Sequence, residues 1–171
     1  MVLLQRMSEE FHYILLTTFH FFAMNIPNSH AKRVLYRLRG SKIGARVDFS
    51  YGVFLEEHFP ECITIHDNVD LGPCVIIVAH DSSYKCVSSN NNLVTKKVII
   101  EQNVYIGAGS VILPGVRIGH HSLIGAGSVV SRDIPPNSVA FGNPARVQCT
   151  TDEWLSKKNA KARVQNGNVT R

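Results

Sequence analysis

The feature that most constrains the fold of this chain is a hydrophobic period of six residues in its central part. Six aliphatic residues in succession keep this spacing, and two triplets upstream keep the same step. The twelve positions are Ile43, Phe49, Leu55, Ile65, Leu71, Ile77, Ile100, Ile106, Ile112, Ile118, Ile124 and Val130. Because hydrophobic residues make up 44% of the chain, twelve of twelve would arise by chance about five times in 100,000. A helix is excluded, since steps of six move around its cylinder instead of keeping to one face.

Two other residue types recur with the same period. A small or β-branched residue stands four positions after most of the apolar ones, and glycine often follows them directly, as at Gly44, Gly107 and Gly125. This pattern is typical of a short strand, a turn and another short strand. If three hexapeptides make one triangular coil, residues 18 apart stack roughly 4.8 Å above one another, and the apolar side chains fill the interior. The repeat therefore predicts an all-β solenoid of parallel strands with four coils.

The period is broken twice, and both breaks are insertions. From Leu55 to Ile65 the chain runs ten residues instead of six, which leaves four extra residues around 58–61. Between Ile77 and Ile100 it adds 17 residues, 81–97, with the polar sequence DSSYKCVSSNNNLVTKK. An insertion of this length must leave the wall of a solenoid, so we expect one long extruded loop, and such loops usually carry function.

The repeat divides the chain into an N-terminal helical segment at 1–40, the solenoid at 41–147 and a polar C-terminal tail at 148–171. Net charge and cysteine usage narrow the function classes further. Eighteen Lys and Arg against 13 Asp and Glu give +5, which suits an anionic ligand but is too small to predict nucleic-acid binding. The four cysteines show no C-x-x-C spacing, as expected of reduced thiols, so a cytoplasmic location is predicted.

The N-terminal segment contains the most apolar stretch of the chain, at 11–24. It is shorter than the roughly 20 residues that span a bilayer, and its flanks do not fit a signal peptide. We expect a helix that packs on the solenoid or on another subunit, with peripheral contact to a membrane surface as the alternative. The following segment, 29–38, predicts a short helix that is capped by Ser29 and carries solvated bases.

Three motifs carry a resemblance to a known family. They are IGAGSVILPGVRIG at 106–119, IGAGSVVSRDIPPNSVAFGNPARV at 124–147 and AHD at 79–81. With them the chain resembles the hexapeptide-repeat acyltransferases. Its closing stretch is similar to maltose and galactoside O-acetyltransferases, and its N-terminal half to the acetyltransferases of capsule and lipopolysaccharide assembly. The resemblance implies a left-handed parallel β-helix, a homotrimer and acetyl-CoA as the acyl donor. The left hand comes from the family alone, because parallel crossovers generally favour the right hand.

His80 is the first candidate for a catalytic residue. It ends an apolar run where the chain leaves the coil for the long loop, and an imidazole there could take the proton of an attacking hydroxyl. The resemblance implies this role, with direct transfer and no acyl-enzyme. A histidine that merely caps a strand is the structural alternative. Asp81 could orient the ring, or it could be a solvated loop aspartate.

The two IGAGS segments are candidate cofactor contacts. Their offset of 18 residues predicts that they stack in adjacent coils, where exposed backbone can bond to the amides of a pantetheine arm. By resemblance, the residues that would contact coenzyme A are Ala108, Ala126, Ser131, Arg132, Asn143 and Arg146. The alanines would line the arm, the serine and the arginines would lie toward the phosphates, and the asparagine would lie in a turn that closes over the cofactor. The alternative is that glycine and alanine simply fit tight corners.

The acceptor side departs from the maltose and galactoside enzymes. The asparagine that these enzymes carry in the facing coil is absent from the matching stretch at 48–52. Glu56, Glu57 and His58 are candidates to line an acceptor pocket, although a charge cluster on a surface bulge is usually only solvated.

The sequence therefore predicts an acetyl-CoA-dependent O-acetyltransferase of polysaccharide biosynthesis, which acts on a carbohydrate hydroxyl without a metal. A zinc lyase like the γ-type carbonic anhydrases is a competing hypothesis. His66, His80 and the adjacent His120 and His121 fall at different steps of the repeat, however, and form no convincing zinc triad. Two further hypotheses stay open: a serine or amino-sugar acetyltransferase on the same fold, and a non-catalytic binding solenoid.

Overall fold

Short parallel strands form the centre of the chain, and helices flank them. This computed structural model describes residues 2–88 and 93–167. The helices are α1 (Val2–Asn25), α2 (Ser29–Leu38), α3 (Ser83–Val87) and α4 (Thr151–Gly167), and a 3-10 turn spans Pro60–Cys62. The strands are β1 (Lys42–Ile43), β2 (Val47–Phe49), β3 (Phe54–Leu55), β4 (Ile63–Ile65), β5 (Val69–Leu71), β6 (Ile76–Ile77), β7 (His80–Asp81), β8 (Val94–Thr95), β9 (Val98–Ile100), β10 (Tyr105–Ile106), β11 (Val111–Ile112), β12 (Arg117–Ile118), β13 (Leu123–Ile124), β14 (Val129–Val130), β15 (Ser138–Gly142) and β16 (Ala145–Thr150).

The chain visits three parallel sheets in rotation. The first sheet has the order β1-β4-β9-β12, the second β2-β5-β10-β13-β15, and the third β3-β6-β11-β14. Apart from the separate pair β7-β8, each strand up to β14 joins the sheet that follows its predecessor's, so three strands complete one coil. Strand β16 is added antiparallel to β15 and closes the second sheet.

The register of the sheets confirms the six-residue period. In the first sheet Ile43 pairs with Ile65, Ile65 with Ile100, and Ile100 with Ile118. The second and third sheets pair their periodic residues in the same manner. The twelve residues thus stand in three columns of four, one column for each sheet, as four coils require.

The three columns form the core of the coil. All twelve periodic residues are buried, and the most exposed of them, Ile43, reaches only 8%. Most of the residues four positions later are buried as well, among them Val47, Val53, Ser110 and Ser128. Because burying one aliphatic side chain contributes about 1.5–3 kcal/mol, the repeated positions dominate the stability of the coil.

The 17-residue insertion leaves the coil between β6 and β9. At its base, β7 and β8 pair antiparallel, and the amide of Lys96 donates to the Ala79 carbonyl at 2.8 Å. The short helix α3 follows β7, while the middle of the insertion, 89–92, lies outside the described residues. The extruded loop is therefore anchored directly beside His80.

The N-terminal helices pack on the coil partly through buried polar groups. Lys32 of α2 is 1% exposed, and its Nζ donates to the Ser50 carbonyl at 2.6 Å. The expectation that the bases of α2 are solvated is therefore wrong for this lysine, whose ammonium reaches the coil. The cap of α2 is also one residue earlier than expected: Asn28, rather than Ser29, accepts the hydrogen bond from Ala31 N, at 3.0 Å.

The first helix exposes apolar side chains, among them Ile14, Phe21 and Phe22. Within the described residues, we find no helix with both the length and the hydropathy needed to cross a bilayer. Contact of α1 with another subunit or with a membrane surface stays a prediction.

The polar C-terminal tail contains the helix α4, which follows the β15-β16 hairpin directly. Trp154 and Leu155 of α4 line an apolar cleft together with Tyr105 and Leu123 of the second sheet. The tail is thus docked on the coil, a position that the sequence analysis did not anticipate.

Candidate active site

His80 lies where the third sheet meets the extruded loop. Strand β6 ends at Ile77, and β7 begins at His80. In the preceding coil, β3 ends at Leu55, which pairs with Ile77, so Glu56 lies one coil below the corner that carries His80. The side chain of His80 is 27% exposed, whereas that of Glu56 is 1% exposed.

A buried carboxylate holds the ring of His80. Both carboxylate oxygens of Glu56 lie 2.9 Å from His80 Nδ1. The same carboxylate accepts hydrogen bonds from the backbone amides of Ala79, at 2.7 Å, and His58, at 3.0 Å. These contacts fix the carboxylate in the wall of the coil, and the carboxylate orients the imidazole through its Nδ1 atom.

The electrostatics of this pair assign a tautomer to the ring. Burial raises the pKa of Glu56, but the hydrogen bonds from Ala79 N, the His80 ring and His58 N together outweigh burial and hold this pKa below its usual value. Glu56 is therefore ionised at neutral pH and accepts the proton on His80 Nδ1. The lone pair of Nε2 is then available to accept a proton from a reactant.

The mouth of the site is formed by the four-residue insertion. The rings of His58 and Phe59 lie edge-on to the His80 ring, with centroid distances of 5.7 and 5.8 Å. His58 is exposed and Glu57 is half-buried. Their role as acceptor contacts, which the sequence suggested, stays a prediction.

A buried arginine supports the site from the side of the N-terminal helices. Arg39 is 4% exposed, and its Nη2 donates to the Glu57 carbonyl at 2.8 Å and to the Glu56 carbonyl at 3.4 Å. Its Nη1 lies 2.9 Å from His20 Nδ1 on α1. The helices are thereby linked to the backbone that carries the catalytic candidates.

Two expectations about individual residues are wrong. Glu56 does not line an acceptor pocket: the inserted residues bulge out after it and leave it in the wall, buried against His80. Asp81 does not orient the ring, because it is exposed at the start of the turn into α3, where its Oδ1 accepts from Ser83 N at 2.8 Å. The sequence held one signal that Glu56 is the partner of His80. Leu55 and Ile77 belong to the same column, which stacks Glu56 beneath the corner of His80.

The two IGAGS segments stack as predicted. Ala108 and Ala126 are both exposed on the corner between the second and third sheets, which we call the alanine edge. Gly127 N donates to the Ala108 carbonyl at 2.8 Å. A Cβ on Gly107 would lie 2.8 Å from Ala126 Cα, so only glycine permits this approach of the two coils. The result is a smooth surface of exposed backbone.

Asn143 and Arg146 extend the alanine edge upward. Asn143 lies in the turn between β15 and β16, Arg146 is the second residue of β16, and both side chains are exposed. Phe141, two residues before Asn143, lies so close to Gly125 that a Cβ on this glycine would be 2.7 Å from Phe141 Cβ. The turn therefore stands directly over the second IGAGS segment.

Ser131 and Arg132 lie elsewhere. They follow β14, and β14 stacks on β11, which stacks on β6. They therefore share the next corner with His80, which we call the histidine edge, and the third sheet separates them from the alanine edge. Within one chain, the structure does not gather the six predicted cofactor residues at a single edge.

A cluster of potential metal ligands coincides with the site. Glu56, His58 and His80 each offer one ligand atom, and these atoms lie within 4.8 Å of one another. Among the described residues no other such group of three is found, and neither His66, His120 nor His121 belongs to it. The described part of the chain therefore holds no cluster of three histidines of the kind that the zinc-lyase hypothesis requires.

Comparison with known proteins gives relatives along most of the chain. The sequence family described as "Bacterial transferase hexapeptide (six repeats)" matches residues 97–132. Over 136 residues, the chain is 36% identical to the Bacillus subtilis protein named "Putative acetyltransferase YvoF", a match that covers 77% of this chain and 73% of that protein. Over 53 residues it is 64% identical to the galactoside O-acetyltransferase of Lactococcus lactis, covering 31% of this chain and 26% of the relative. Across three of the curated relatives, the match spans only 26–42% of their length.

A solved structure supports the architecture. A galactoside acetyltransferase in complex with coenzyme A superposes with a TM-score of 0.59 and 26% sequence identity. The superposition covers 79% of this chain and 78% of the other. The coil and much of what flanks it thus match a known fold.

Proposed function

The chain belongs to the hexapeptide-repeat acetyltransferase family, and from this premise we propose that it transfers an acetyl group from acetyl-CoA to a carbohydrate hydroxyl, with His80 as the general base. The observation that carries this proposal is the contact of His80 Nδ1 with the buried carboxylate of Glu56. A ring held in this way presents a basic nitrogen, Nε2, at a corner of the coil beside the extruded loop, where two substrates can meet.

The chemistry follows from this arrangement. His80 Nε2 takes the proton of the acceptor hydroxyl while the oxygen attacks the thioester carbonyl of acetyl-CoA. The C–S bond then breaks, the acetyl group stays on the acceptor oxygen, and the departing thiolate receives the proton from His80. Glu56 stays ionised throughout and stabilises the imidazolium that forms between the two steps.

The alanine edge is the proposed place of the pantetheine arm. Its exposed backbone between Ala108 and Ala126 offers amide and carbonyl groups to a ligand that carries amides of its own. Arg146 lies exposed above it and could pair with phosphate oxygens. The galactoside acetyltransferase that was solved with coenzyme A supports this choice of cofactor.

We also propose a left-handed coil and a homotrimer, which the family resemblance implies. In one chain the alanine and histidine edges lie on either side of the third sheet, so a pantetheine arm on one edge would not point directly at His80. A neighbouring copy could bring its alanine edge to this histidine edge. Mixed oligomers of His80→Ala and Ala126→Trp chains would then regain activity that neither variant has alone, and no recovery would favour a site within one chain.

The acceptor is the least constrained part of the proposal. His58 and Phe59 form the mouth, with Glu57 next to them in the chain, and this mixture of polar and aromatic groups suits a sugar. The same mouth could admit serine or an amino sugar, so the sequence hypothesis of a serine or amino-sugar acetyltransferase stays open.

The deciding experiment measures release of free thiol from acetyl-CoA by the purified protein across sugars, nucleotide sugars, amino sugars and serine. His80→Ala should lower turnover by about 100-fold or more, because a general base typically contributes 10²–10⁴-fold, while coenzyme A affinity stays within about twofold. Equal loss of rate and affinity would mean that His80 is structural. If thiol is released only with serine or amino sugars, the proposed acceptor is wrong, and the protein is a serine or amino-sugar acetyltransferase.

A further inference from the structure

The cluster at the mouth of the site has a donor set that the acyl transfer does not require. His58 takes no part in the proposed chemistry, yet its ring lies 5.7 Å from that of His80 and its backbone amide is bonded to Glu56. The ligand atoms of Glu56, His58 and His80 lie within 4.8 Å of one another. This distance can be closed by small side-chain rotations to the spacing of ligands around one metal ion.

The chemistry of the three groups selects the type of ion. Two imidazole nitrogens and one carboxylate oxygen are the protein ligands of many zinc sites, and a water molecule completes the tetrahedron. Calcium and magnesium prefer sites made of oxygen atoms alone. The set therefore fits zinc and neighbouring transition-metal ions.

The site is partly built before an ion arrives. Glu56 is held in place by the amides of Ala79 and His58, at 2.7 and 3.0 Å, and two such donors favour its charged form. His80 is oriented by Glu56, so these two ligands have only to separate slightly to admit an ion, and the exposed His58 has to turn toward it. We propose that Glu56, His58 and His80 bind a zinc ion that inhibits the enzyme reversibly.

The inhibition follows from the proton on the His80 ring. This ring has one proton when neutral, and Glu56 keeps that proton on Nδ1. A zinc ion between Glu56 and His80 would take the Nδ1 lone pair, so the proton would move to Nε2. A ring protonated at Nε2 cannot accept the hydroxyl proton, and acetyl transfer would stop until the ion leaves. This consequence rests on the proposed function, whereas the binding itself does not.

The test of binding needs no substrate. The full chain is freed of metal with a chelator, dialysed into a non-chelating buffer and titrated with zinc chloride in a calorimeter. We expect one zinc ion per chain, and at least a tenfold weaker affinity in His58→Ala. His66→Ala, which removes an exposed histidine outside the cluster, should bind zinc as the parent protein does. Absence of binding, or equal weakening in both variants, would overturn the proposal.

Cobalt and activity measurements separate the two proposals. Cobalt chloride should give the visible absorption of a tetrahedral site in the parent protein and lose it in His58→Ala. If acetylation is detected, zinc should suppress it, excess chelator should restore it, and His58→Ala should be less sensitive when each protein is compared with its own metal-free rate. Acetylation with no zinc binding would leave the proposed function intact and reject the metal site. Zinc binding without any acetylation would support the site and reject the proposed function.

Discussion

The two halves of the coil are built from the same repeat but differ in regularity. From β9 to β14 the strands follow one another at a strict step of six residues, and their corners are tight enough to require glycine at Gly107. From β1 to β8 the repeat carries both insertions, and these bring Glu56, His58 and His80 together. The difference teaches that the regular half supplies a stacked core and a smooth edge for a ligand. The interrupted half supplies the titratable groups of the site, because its insertions leave the coil where these groups stand.

Mutation of the core of the regular half should lower the stability of the fold, and this is the largest effect that we expect. Ile112 is fully buried between Ile77 and Val130 of the neighbouring coils, so Ile112→Ala should lower the free energy of unfolding by about 2–5 kcal/mol. Val111 on the outer face is half-buried, and Val111→Ala should cost about 1 kcal/mol or less. Urea unfolding followed by circular dichroism measures both. Equal losses would contradict the division into an inner column and an outer face.

The sequence predicted the regular half well because one rule governs it. Every sixth side chain must fill the interior, so the columns, the register and the stacking of the IGAGS segments follow from the spacing alone. The interrupted half follows no such rule. An insertion of four residues does not say which of Glu56, Glu57 and His58 stays in the wall, and the wrong choice assigned Glu56 to the surface. The buried Lys32 escaped prediction for a related reason, since its partner is a backbone carbonyl 18 residues away that carries no sequence signal.

Removing the charge of Glu56 should give the next largest effect, and we expect it to lower the rate of acetyl transfer. Glu56→Gln replaces one oxygen that accepts hydrogen bonds by an NH₂ group, which would face the donors Ala79 N, His58 N or His80 Nδ1. We expect kcat to fall about 10- to 100-fold with KM changed less than threefold, because partners of this kind typically contribute that much to activity. Steady-state thiol release measures both constants. Glu61→Gln is the matched control, since Glu61 is exposed on the bulge. An equal loss in the control would point to a general disturbance of the bulge.

The N-terminal helices contact the interrupted half, and we expect their contribution to the stability of the fold to depend on pH. Burial and the nearby Arg39 lower the pKa of His20 from 6.5 to about 4, so His20 is neutral in the folded protein at pH 5 but largely protonated once the chain unfolds. The unfolded state then binds more protons, and stability falls as pH drops from 7 toward 4. Between pH 7 and pH 5 this difference amounts to about 2 kcal/mol.

The comparison of His20→Gln with His30→Gln tests this coupling. Glutamine keeps an oxygen that can accept from Arg39 but does not titrate, so the loss of stability between pH 7 and pH 5 should shrink by most of that amount. His30 is exposed on α2, and its replacement should leave the pH dependence unchanged. Urea midpoints at the two pH values provide the measurement. A pH dependence that is the same in both variants would remove His20 from the linkage between helices and coil.

The smallest expected effect decides which edge of the coil receives the phosphates of coenzyme A. Arg146 lies above the alanine edge and Arg132 on the histidine edge, and both are exposed, so each could meet anionic oxygens. If the cofactor follows the alanine edge of one chain, Arg146→Ala should weaken coenzyme A binding about three- to tenfold, in line with an exposed charge-assisted contact, and Arg132→Ala should change it less than twofold. Calorimetric titration with coenzyme A measures both dissociation constants. The reverse order would move the phosphates to the histidine edge and would assign that edge to both cofactor and base. Comparable losses in the two variants would favour a cofactor that contacts the alanine edge of one chain and the histidine edge of another, an arrangement that the proposed trimer allows.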